Sequence, residues 1–144
     1  MKAHGGQKHR DNASAFLAVA QKLHQTTKLH RQVYMNAGSA VEAMMLAIGL
    51  KSRELMTVPG SEQGGRWHNL EFLAKQHRIL VPLKQDMSAN RQLAVHWLTV
   101  RDWKSEGRFA DVQIGPQDAL DLLNAVAHKP NGMFLWLLNR FETI

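Results

Sequence analysis

Within residues 31 to 56, Tyr34, Ala37, Val41, Met44, Met45 and Ile48 recur at intervals of three and four. This is the period of a helix that lays an apolar face on a core. A neighbouring stripe holds Gly38, Glu42, Met45 and Gly49. Glycine costs helix propensity, so these two are expected to let another helix approach closely. An acid on such a stripe is expensive to bury alone. Glu42 is therefore expected to find a cationic or hydrogen-bonding partner on another helix, with Arg101 or Arg108 preferred. The bland alternative is a solvated Glu42 at the edge of the packed face.

The rest of the chain must cover this helix. Its 144 residues suffice for one domain with a core of its own. Residues 1–10 are basic and carry Gly5 and Gly6, so a disordered tail is expected there, followed by a single domain over 11–144. Asp11, Asn12 and Ser14 offer caps for a first helix with Phe16, Leu17, Val19, Ala20 and Leu23 on its apolar side, ending between Thr26 and Lys28. Thr57 to Arg66 reads as a loop. A short helix follows from Asn69 to about His77. Arg78 to Leu83 reads as an extended connector, because Pro82 opposes a continuing helix. Ser88 or Asn90 can cap a helix bearing Leu93, Trp97 and Val100. Gly115-Pro116-Gln117-Asp118 is a helix start with proline near the first position. Met133 to Leu138 is apolar all round and suits a closing helix over the core or a dimer surface.

Charge narrows the partners. The formal net charge is +6 and the pI near 10, which favours RNA, DNA or nucleotides. There is no cysteine, so thiolate catalysis and cysteine-based zinc are excluded. The eight histidines never stand three or four apart, and no one-helix metal pair exists. No phosphate loop and no Gly-x-Ser-x-Gly elbow occur. No cofactor is implied. The start lacks the apolar centre of a signal peptide and no run suggests a membrane span, so a soluble, cytoplasmic protein is expected.

The order of features resembles the HEPN family. Asn36 to Ala47, with its Ala-x-x-Ala-x-Glu-like pattern, is followed by a turn-rich stretch and by His68-Asn69-Leu70-Glu71-Phe72-Leu73. Trp103 with Arg108-Phe109, and Gly132 to Leu137, are similar to later elements of that family. The likeness runs over residues 12 to 138. It departs where Met45 stands at a lysine position and Phe109 at a tyrosine position.

The resemblance implies an all-α antiparallel bundle of four to five helices, often a homodimer, in a toxin-antitoxin or defence setting. It implies a binding module for a nucleotide, RNA or a partner such as a cognate nucleotidyltransferase or antitoxin. Its other branch is a metal-independent endoribonuclease with an Arg-x4-His pair, matched here by Arg91 and His96. There His96 would act as general base and Arg91 would steady the phosphorane. Residues five apart sit ~140° apart around a helix, so the two converge only at a frayed end or across subunits. Arg66, His68, Arg101 and Arg108 are the candidate nucleic-acid contacts, although His68 at a helix start equally suits loop-fixing hydrogen bonds. A purely structural interaction domain is the third reading.

Overall fold

A computed structural model describes residues 3–26, 29–52, 68–108 and 112–144. Among these the chain is all-helical, without a strand. The elements are α1 (Ala3–Thr26), α2 (His30–Lys51), α3 (Leu70–Gln76), α4 (Leu80–Ala89), α5 (Arg91–Arg101), a 3-10 turn (Ser105–Arg108), α6 (Pro116–Ala127) and α7 (Met133–Thr143). Seven α-helices stand where four or five were expected. The loop from Thr57 to Arg66 and the end of the central helix beyond Ser52 lie outside the described residues.

The central helix α2 packs against α1, α3, α6 and α7. Burial therefore covers most of its circumference, from Val33 and Tyr34 through Met44, Met45 and Ile48 to Leu50, and leaves one less buried stripe through Gln32, Met35, Ser39, Glu42 and Leu46. By length and composition α2 could also cross a membrane, contrary to the expectation that no run approaches a span. However, 72% of its most apolar window is buried in the bundle.

The longest seam, α1 on α2, is made by small residues. Gly6, Ala13 and Ala20 stand seven apart and are all buried. Seven residues are close to two helical turns, so they form one narrow stripe that lets the axes approach. Gly6 is part of that stripe, since a Cβ there would lie 3.2 Å from the Ala47 carbonyl oxygen and 3.4 Å from Lys51 Cβ. This corrects the expected disordered tail over residues 1–10, which is helical from Ala3 onward. It also corrects the apolar face expected for α1: Phe16 and Val19 are exposed.

Gly38 and Gly49 seat aromatic rings instead of a close-packed helix. A Cβ on Gly38 would fall within the Trp103 indole, and one on Gly49 would lie 2.7 Å from His77 Nδ1. Both rings come from residues just past a helix end, His77 after α3 and Trp103 after α5.

The expected extended connector at 78–83 is a turn and a helix start. Arg78 adopts a left-handed backbone with φ 57°, and α4 begins two residues later. Pro82 falls in its first turn, where an N–H has no partner within the helix. Asn69 and Asn90 cap α3 and α5 by accepting from Phe72 N at 2.9 Å and Leu93 N at 3.1 Å. Asp118 Oδ2 accepts from Gly115 N at 2.9 Å at the start of α6. In α7, Met133, Leu137 and Phe141 point into the core.

Candidate functional site

Two of the four segments that carried the family resemblance meet. His68 Nδ1 lies 2.6 Å from Glu42 Oε2, with Glu42 18% and His68 48% exposed. Glu42 thus has a partner from outside its own helix, as expected, and among the described residues His68 is one. Arg101 reaches the neighbouring Asp102 at 3.4 Å. Arg66, Phe109 and the side chain of Arg108 lie outside the described residues.

Arg91 and His96 are not brought together. Arg91 is the first residue of α5 and is exposed. His96 is only 6% exposed, turned inward with Leu93, Trp97 and Val100 as the helical period requires. Its Nδ1 donates to the Asn131 carbonyl oxygen at 2.7 Å, which leaves Nε2 as the lone-pair nitrogen of the neutral ring.

Around His96 lies a polar network that spacing alone did not suggest. The His96 and His128 rings are 4.9 Å apart, centre to centre. The capping bond to Leu93 orients the Asn90 amide, whose Nδ2 donates to Asn131 Oδ1 at 2.9 Å. Asn131 Nδ2 then donates to Gln92 Oε1 at 2.6 Å. Gln92 Nε2 faces His128 Nε2 at 3.3 Å, while the Asn131 N–H faces His128 Nδ1, also at 3.3 Å. A neutral imidazole has one lone pair for these two donors, so it accepts from one of them at a time. The turn behind the network needs Gly132, where a Cβ would lie 2.5 Å from the His128 carbonyl oxygen.

Beside His128, a groove follows one face of α1. Leu17, Gln21 and His24 line it at helical spacings of four and three. It has two compartments. One, of about 250 Å³, is edged by Gln21, His24, Asn124 and His128 over Leu120, Leu123 and Ala127. The other, of about 240 Å³, is apolar, with Leu17, Phe134, Leu135 and Leu138, and has Lys129 on its rim. The compartments share Gln21 and Ala127. A sequence signal for this region exists in hindsight: residues 12–41, 87–101 and 122–141 contain no aspartate or glutamate. The network and, apart from Leu120, the groove are drawn from those three segments.

Another cavity, of about 320 Å³, is different in kind. Asp102, Asp118 and Asp121 line it with Tyr34 and Lys104. Burial pushes the Tyr34 phenol above its ordinary pKa; the Lys104 N–H that it accepts opposes this, and Asp118, Glu106 and Asp102 add to it. A cavity with three carboxylates and one ammonium repels phosphate. Among the described residues no three metal-ligating side chains converge.

The chain matches no protein-family model, no curated protein and no solved structure.

Proposed function

We infer that this chain is a non-catalytic, HEPN-like helical module whose ligand is a nucleic acid or nucleotide. The observation that carries the non-catalytic part is the placement of His96: buried, tied through Nδ1 to Asn131, and without Arg91 beside it. A general base must come within hydrogen-bond reach of the hydroxyl it deprotonates, and a ring enclosed by α5, His128 and the α6–α7 turn does not offer that reach to a ribose. The positive charge, together with the carboxylate-free segments around His128, supports a polyanionic ligand.

The test is a pair of measurements on the full chain. Incubated with single-stranded RNA in EDTA, the protein leaves the RNA intact. In a gel shift it retains the RNA, with affinity that falls as salt rises. RNA cleavage that disappears in Arg91→Ala, a variant of an exposed residue whose loss leaves the fold intact, overturns the non-catalytic reading. Absence of any salt-dependent shift overturns the nucleic-acid reading and favours the interaction-domain alternative.

A further inference from the structure

The groove along α1 has more chemical detail than a merely basic surface provides. Its polar compartment is edged by amides and imidazoles, groups that donate and accept in a plane and so match the edge of a heterocyclic base. Among the described residues, the side chains of Gln21, His24 and Asn124 make no hydrogen bond within the fold, although they converge on one recess. The fold does not use them, and they are free to bind a ligand. The apolar compartment next to it is lined by Phe134, an aromatic side chain of the kind on which a base stacks. The two share Gln21 and Ala127 as their common wall, so occupants of both must be joined or in contact. No carboxylate lines either one, and Lys129 stands at the rim, where a backbone phosphate would pass.

Resting on the nucleic-acid reading above, we propose that this groove holds two successive bases of a single strand: one in the apolar compartment beside Phe134, the next in the compartment edged by Gln21, His24 and Asn124. Lys129 neutralises the phosphate that links them. A duplex does not fit this arrangement, because its base edges are paired and its bases stay in the stack, whereas recessed compartments require bases that are turned out. The proposal assigns no role to the Arg91 and His96 pair. It places recognition on the neighbouring face of His128, where the polar network fixes that ring from behind.

The experiment uses the full chain and a fluorescein-labelled 12-residue RNA of mixed sequence, read by anisotropy. His24→Ala combined with Asn124→Ala removes two groups that make no hydrogen bond among the described residues, with circular dichroism checking that the helices remain. Expected is about tenfold weaker binding, in the range given by one lost base contact. Lys129→Gln lowers the slope of log K against log salt by roughly 0.7, one phosphate contact to a single strand. Duplex RNA and adenosine monophosphate serve as competitors, and both displace the labelled strand poorly. Three results overturn the groove assignment while leaving the nucleic-acid reading standing: wild-type binding retained in the double variant, equal competition by duplex, or equal competition by the mononucleotide. The last would identify a free nucleotide as the source of the base. Failure of the wild-type chain to bind any nucleic acid removes both.

Discussion

The indole of Trp103 occupies the space a side chain on Gly38 would need: a Cβ there would stand 2.0 Å from Trp103 Cε2 and 2.1 Å from Nε1. The indole carbons are part of a rigid ring, itself 8% exposed, so it cannot yield by a simple rotation. Gly38→Ala is expected to destabilise the protein by about 1–3 kcal/mol through overpacking, despite alanine's better helix propensity. Urea unfolding measures it. A stabilised variant would show that the indole is not held at this position.

The Glu42–His68 contact joins α2 to the start of α3 at 2.6 Å. Because His68 is about half exposed, solvent screens the pair and its worth is modest, about 1 kcal/mol or less. Glu42→Ala is expected to lower the melting temperature, and a double-mutant cycle with His68→Ala should give a favourable coupling. Additive effects would mean that the two side chains act independently.

Tyr34 closes the junction after α5, its hydroxyl accepting from the Lys104 N–H at 2.8 Å. Tyr34→Phe leaves that N–H without its acceptor, at a cost of about 1–3 kcal/mol. The raised phenol pKa adds a pH signature. The unfolded chain loses the phenolic proton first, so stability is present below the ordinary value of ~10 and is lost as pH rises through the folded value. Tyr34→Phe should remove this part of the alkaline loss, seen as a flatter melting temperature in that range.

His9, on α1, is held below the ordinary histidine range, by burial first and by Lys8 second. The unfolded state therefore binds more protons as pH falls through ~6.5, and His9 favours folding above that value and opposes it below. Replacing His9 with glutamine should flatten the fall in melting temperature as pH drops below the ordinary ~6.5 and on through the lower folded value. Parallel curves for the two proteins would rule this residue out as a source of the acid sensitivity.

Periodicity made the helices legible because burial follows period: α2, α5 and α6 stand where their apolar intervals and caps put them. It failed at Gly6 and at Pro82. A glycine in a basic run looks like a tail until a partner helix is seen to need its missing side chain, and a proline looks like a stop until its position within the first turn is known. That Glu42 needs a partner was legible, but His68 as one such partner was not. His68 lies 26 residues away in sequence, and nothing local links the two. The face of α5 that carries Leu93, Trp97 and Val100 was legible from its spacing. The network of Asn90, Gln92, His128 and Asn131 was not, because hydrogen bonds between segments some forty residues apart leave no period in either one.

The joint between α3 and α4 has a consequence for motion. His77 is 3% and Ile79 0% exposed, with left-handed Arg78 between them facing solvent. The Ile79 N–H is bonded at 2.8 Å to the Ala74 carbonyl oxygen. Short connections are usually where a fold breathes first, yet this one can open only if its two inward residues leave the core. In heavy water the Ile79 amide should exchange on the slow timescale of the central helix and not on that of a surface turn. The joint then reports, from a single residue, how often the whole bundle comes apart.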